Sequence, residues 1–255
     1  MRATIRSLLA LPELSYRVAW LAERWHKSPI EQTALQFEKL AQAGQGSDKG
    51  AREALFSLCI LLARHHDSSW TWALREHAHR QHLNSLERLV RSRPEPSVPP
   101  PSSTRKEARI PDYGAGRELT VGERRSLARR PSRSQLEKLL LDPHALVLEQ
   151  LFQCPSLTEI DVVTVATRRP PSQDALRLLV QANKWIARRR VRMSLILNPA
   201  SPHAMVVPLV ATCPREDLRL ISSTTTINST LRSVALELFR ALPPVDRSTS
   251  HPLYH

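Results

Sequence analysis

One pattern, present twice and offset by 44 residues, constrains the fold of this chain more than anything else in it. Val147-x-x-x-Leu151-x-x-Cys154-Pro155 returns as Val191-x-x-x-Leu195-x-x-Asn198-Pro199. After each copy comes a polar break, Ser156-Leu157-Thr158 or Ala200-Ser201-Pro202, and then a second apolar run carrying Val162-Val163 or Val206-Val207. Apolar residues four apart share one face of a helix, and proline just past such a run marks its end. The recurrence predicts stacked helical repeats, in which each unit buries its apolar face only against its neighbours.

The rest of the chain agrees with an all-α fold. It has 20 prolines against 6 glycines, and many of the prolines stand singly between apolar runs, where they start or stop helices. Few segments alternate polar and apolar residues over strand length. The three cysteines, Cys59, Cys154 and Cys213, are far apart and odd in number, which points to buried thiols and away from a disulfide framework or a zinc site. The apolar patch Leu8-Leu9-Ala10-Leu11 is cut short by Pro12 and Glu13. No run approaches the ~20 apolar residues of a membrane span, so the expectation is a cytoplasmic protein without membrane partners.

Four regions are expected. Residues 1–91 read as a bundle of three or four amphipathic helices, one of them running through 70–90. Residues 92–118 begin with Pro94, Pro96, Pro99, Pro100 and Pro101 and read as a Pro/Ser-rich linker. Residues 119–242 read as the helical repeats, and 243–255 as a disordered tail. Within the repeats, capping boxes are expected at Thr120/Glu123, Ser134/Glu137 and Thr158/Asp161. They place helices at about 121–130, 135–141, 144–153, 159–168, 173–182, 188–197, 203–212, 215–222 and 229–241. Helices of two to three turns are marginal alone and need neighbours.

The ordered series Leu119-Thr-Val-Gly-Glu-Arg-Arg-Ser-Leu-Ala-Arg-Arg-Pro131, Leu140-Leu-Asp-Pro143, Leu157-Thr-Glu-x-Asp-Val162, Ala166-Thr-Arg-Arg-Pro170, Lys184-Trp185, Val191-Arg192 and Leu197-Asn-Pro199 resembles an uncharacterised bacterial family related to HEAT-like and leucine-rich-variant repeats. The resemblance covers about half the chain, residues 116–242. It implies a short α–α superhelix, a solenoid, and brings no catalytic residues with it. Cys154 departs from the asparagine seen at the matching Asn198.

The formal charge is +13, and it is densest at residues 105–133, where nine basic side chains meet four acidic ones. Arg124, Arg125, Arg129, Arg130 and Arg133 form one basic cluster. Arg168, Arg169, Arg188, Arg189 and Arg192 form another, with Arg188, Arg189 and Arg192 expected on a common helix side. Such clusters attract phosphate or acidic protein. Lys184 and Trp185 lie beside the second, where the indole either stacks a base or packs in the core. His65, His66, His77, His79 and His82 cluster in sequence, with His79 and His82 able to share a helix face, yet no carboxylate completes a metal or acid–base motif. No G-x-S-x-G, P-loop or G-x-G-x-x-G occurs, and no cofactor is expected. The leading expectation is therefore a non-enzymatic interaction module that binds a protein partner through its repeat surface. The alternative is a nucleic-acid-binding protein using the arginines, extending to a HEAT-like enzyme acting on bases, for which Asp142, Asp161 and Asp174 are the acidic candidates.

Overall fold

Two helices among the described residues contain a segment buried on all sides, and that burial organises much of the rest. In Lys49–Arg64 every residue from Ser57 to Ala63 is buried, and in His203–Val210 the same holds from Met205 to Val210. A helix without a polar face must be covered all round. These two, α4 and α14, pack against each other; the helices Arg2–Leu9, Leu14–Lys27, Ile30–Gly44, Asn84–Val90 and Gln173–Gln181 pack on α4, and Asn84–Val90, Arg189–Ile196 and Ser229–Ala241 on α14.

The computed structural model describes residues 2–92, 110–168 and 172–241. Among the described residues the secondary structure is helical throughout, with sixteen helices and no strand. The first part holds α1 (Arg2–Leu9), α2 (Leu14–Lys27), α3 (Ile30–Gly44), α4, α5 (Ser69–Arg80) and α6 (Asn84–Val90). Six helices thus stand where three or four were expected. The short α1 places Leu8 in the core against α4. At the α3–α4 crossing, a Cβ on Gly44 would lie 2.5 Å from Leu55 Cβ, so only glycine permits this approach.

The expected helix across 70–90 is divided. His82 adopts a left-handed φ of 52°. Its N–H donates to His79 O, while Leu83 N–H reaches back to Ala78 O at 2.9 Å. This is a Schellman stop with histidine where glycine is usual. The next helix, α6, has no capping side chain of its own. The buried Glu38 of α3 supplies one, its Oε2 accepting from Leu86 N at 2.7 Å and its Oε1 from Ser85 N and Gln42 Nε2. A carboxylate at a helix N-terminus satisfies orphan donors and opposes the helix dipole.

The second part comprises α7 (Val121–Leu127), α8 (Arg133–Leu139), α9 (Ala145–Phe152), α10 (Glu159–Thr167), α11 (Gln173–Gln181), α12 (Asn183–Ile186), α13 (Arg189–Ile196), α14, α15 (Arg215–Ser223) and α16 (Ser229–Ala241). Capping boxes form at Thr120/Glu123 and Thr158/Asp161, as the sequence indicates. The third uses Ser132 and Gln135 in place of Ser134 and Glu137. Pro131 holds the chain extended up to Ser132. Glu137 is left to pair with Arg133 across one turn at 3.4 Å.

Apart from the short α12, the helices from α8 onward fall into four pairs, α8–α9, α10–α11, α13–α14 and α15–α16, whose partners touch. First helices begin at 133, 159, 189 and 215, second helices at 145, 173, 203 and 229. The pairs therefore recur about every 28 residues. The 44-residue pattern links α9, a second helix, to α13, a first helix, so its offset is not the period of the pairs. Second helices α11 and α14 contact α4, and α14 also contacts α6. Buried apolar residues from both parts belong to one continuous core. The expected linker falls largely outside the described residues, at 93–109, and so does the tail beyond 241.

Candidate functional site: a basic edge and a seam cleft

The helix-pair geometry fixes where the candidate arginines lie. Arg133, the first residue of α8, donates to both carboxylate oxygens of Asp161 in α10, at 2.9 and 3.1 Å. Arg189, the first residue of α13, does the same to Asp217 in α15, at 2.6 and 2.7 Å. Each pair spans 28 residues, and each brings the N-terminal ends of successive first helices together. α10 and α13 are also in contact, so the four first helices succeed one another as neighbours, and the two arginine-bridged pairs of N-termini mark the basic edge.

Exposed beside these paired first turns in sequence are Arg129 and Arg130, which lie just before α8, and Arg188 and Arg190, which flank Arg189, while Arg125 is exposed within α7. Among the described residues none of these five has an ion-pair partner. The expected common side of Arg188, Arg189 and Arg192 does not form. Arg188 is an extended N-cap residue, with φ −80° and ψ 125°, so the helical spacing that would align the three begins only after it.

Other candidates are drawn into the protein. Arg124 is buried, its Nη1 donating to the fully buried Asp142 at 2.9 Å. Asp142 also accepts from Tyr113 Oη at 2.8 Å and His144 N at 2.9 Å. Burial, then the hydrogen bond to Asp142, pushes the Tyr113 phenol well above its ordinary value. Arg168 reaches back to the turn between α8 and α9, donating to Leu141 O. Arg169 lies outside the described residues. Trp185 is buried and donates from Nε1 to Phe152 O at 2.7 Å, so its indole is core and unavailable for stacking a base. Lys184 lies over the Trp185 ring at 4.4 Å from its centroid.

Arg192 turns away from the edge. Its Nη1 donates to Ile186 O and Ala187 O, and its guanidinium sits 4.9 Å from the centre of the Phe56 ring of α4. Burial lowers its pKa. It lines a cleft of about 670 Å³ between the α3–α4 turn and helices α13, α15 and α16, together with Arg52, Glu53, Leu55, Cys213, Arg215, Leu218 and Leu238. No local pattern marks this site, because its walls come from segments more than a hundred residues apart.

A second arginine joins the two parts. Arg64, near the end of α4, donates to Val180 O at 3.0 Å, Gln181 O at 2.9 Å and Asn183 Oδ1 at 2.7 Å. It thereby closes the carbonyl end of α11, where a cation is favoured. Arg91 pairs with Glu237 of α16, and Ser92 Oγ lies 3.0 Å from His203 Nε2.

Among the described residues no group of three His, Cys, Asp or Glu side chains could hold a metal ion. Since His82 is the left-handed stop after α5, it does not share a helix face with His79. The cysteines are free and buried; burial pushes Cys213 up to about 12 and Cys59 further. Of the acidic candidates, Asp142 and Asp161 are bound to arginines, and Asp174 is exposed in the first turn of α11. No helix among the described residues is long and apolar enough to cross a membrane. In comparisons with known proteins, the chain matches no family model, no curated protein and no solved structure.

Proposed function

We propose that this chain is a non-enzymatic interaction module, a short HEAT-like α–α superhelix that receives an acidic segment of a protein partner along the N-terminal edge of its first helices. The observation that carries this reading is the pairing of a covered face with a charged free one. α4 and α6 lie on the second helices α11 and α14, so that side of the repeats is occupied by the chain itself. At the N-terminal ends of the first helices, Arg129, Arg130, Arg188 and Arg190 are exposed, as is Arg125 in α7, while Arg133 and Arg189 are held by carboxylates. Exposed guanidiniums on a rigid scaffold steer and orient an anionic partner. The fold itself names no partner.

The test is in-cell crosslinking and mass spectrometry of the intact protein, repeated with Arg129→Glu/Arg130→Glu and with Arg188→Glu/Arg190→Glu. A protein captured in nuclease-treated extract and lost with either double reversal supports the proposal. Capture that needs nucleic acid, with retention on duplex DNA falling steeply from about 50 to 200 mM salt, would replace it by the nucleic-acid reading. A partner insensitive to both reversals would remove the edge from consideration.

A further inference from the structure

The seam cleft has a lining that matches one class of small molecule. Its floor is aliphatic, formed by Leu55 of α4, Leu218 of α15 and Leu238 of α16, all of them buried. Its charged walls are unbalanced. Arg52, Arg192 and Arg215 all line it, against the single carboxylate of Glu53; Glu53 is already engaged by Arg17, and Arg215 donates to Phe239 O. Arg52 spends its Nε on Gly46 O at 2.9 Å, and Arg192 spends Nη1 on two carbonyls. Each guanidinium carries five N–H donors, so both keep donors beyond those bonds. About 670 Å³ lies within the roughly 300–1,000 Å³ of small-molecule pockets, which are mostly apolar with a few placed polar groups.

We infer that this cleft binds a single-chain amphiphilic carboxylate, its head group between Arg52 and Arg192 and its hydrocarbon chain along the leucine floor. Arg192 is well placed for the head group because its guanidinium is largely withdrawn from water, where an ionic hydrogen bond is stronger than on an open surface. The hydrocarbon contribution scales with the apolar area that the chain covers. Since the walls come from both parts of the molecule, an occupant would join α4 to α13, α15 and α16. This inference is independent of the basic edge.

Isothermal titration of the full chain with decanoate, below its micellar concentration, tests it, with acetate and 1-decanol as controls. The expected result is saturable binding of one decanoate per chain, with acetate and decanol each at least about tenfold weaker. Arg52→Gln should weaken decanoate about tenfold, the loss of one charge-assisted contact. Arg192→Gln should do the same where circular dichroism shows native helicity. Arg52 is exposed, so its variant keeps the test decisive if the Arg192 variant unfolds. No saturable binding, equal affinity for decanol or acetate, or an unchanged affinity in Arg52→Gln would each overturn the inference.

Discussion

Arg189 and Asp217 meet through two parallel hydrogen bonds, at 2.6 and 2.7 Å, between the first turns of α13 and α15. Fifty-six residues earlier Arg133 and Asp161 make the same bond between α8 and α10. The guanidinium of Arg189 is more than half exposed, while its partner carboxylate is 9% exposed. The acid is therefore the costlier member to leave alone.

Asp217→Ala should destabilise the protein by about 1 kcal/mol, a fork of hydrogen bonds discounted for the exposed partner. Arg189→Ala alone should cost more than that, because it strands a buried carboxylate whereas Asp217→Ala leaves a guanidinium that water can reach. A urea-denaturation double-mutant cycle on the two positions checks this. Full additivity would show that the pair contributes no coupling.

The Arg124–Asp142 pair is different in kind, since both side chains are almost wholly buried, at 3% and 0% exposure. Removing Asp142 leaves a guanidinium in the core whose Nε already lacks a partner. Asp142→Ala is expected to cost about 3–5 kcal/mol, the usual penalty for breaking a buried pair from one side. Tyr113→Phe should cost about 1 kcal/mol, a single hydrogen bond. Equilibrium unfolding of the two variants gives the ratio, and equal losses would contradict the assignment.

Gly44→Ala should destabilise the protein by about 1–3 kcal/mol through overpacking at the α3–α4 crossing, because the new methyl meets Leu55 Cβ and Cδ2. Adding Leu55→Gly, which removes both of those atoms, should recover part of that loss. Thermal unfolding of the single and double variants measures this, and a double variant no better than the sum of its parts would rule out the clash.

Acid should weaken the fold in two windows. Burial lowers the pKa of His65 and His66 from the ordinary 6.5, so folding favours their neutral form. Their contribution is present at high pH and is lost as pH falls below that value. The second window belongs to carboxylates. Hydrogen bonds from Arg117, then from the Thr120 backbone and hydroxyl, hold Glu123 down at about 2. Burial pushes Asp161 up, and bonds from Arg133 and Thr158 more than reverse it. Both acids stabilise the folded state above their unfolded values and lose this as pH falls through their depressed folded values, which for Glu123 lies at about 2. Urea midpoints measured across this range should flatten in the upper window in His65→Gln/His66→Gln and in the lower one in Glu123→Gln/Asp161→Asn. A profile unchanged in both variants would refute this account.

Much of the secondary structure was legible because capping chemistry is local. Thr120 with Glu123 and Thr158 with Asp161 sit within four residues of each other, and their helices start where the boxes place them. The choice of Ser132 over Ser134 was harder, as both serines have a suitable partner three residues on. The break at His82 gave no glycine or proline signal, and the α6 cap comes from Glu38, 48 residues away from Leu86. The basic clusters were visible as composition but not as surface. Arg124 went to a buried carboxylate, Arg192 to helix-end carbonyls and a phenylalanine ring, and Arg64, which drew no notice in sequence, ties α4 to α11.

Taken by itself, the amino-acid order determined an all-helical chain, most of its helix ends, and the apolar stripes that must be buried, because propensity, capping and periodicity act within a few residues. Only the tertiary structure decided that helix pairs recur every 28 residues, that α4 and α14 are central, and which arginines face water. A guanidinium's fate depends on whichever carboxylate, carbonyl or ring the fold brings within about 3–5 Å, and that proximity is a property of packing between distant segments.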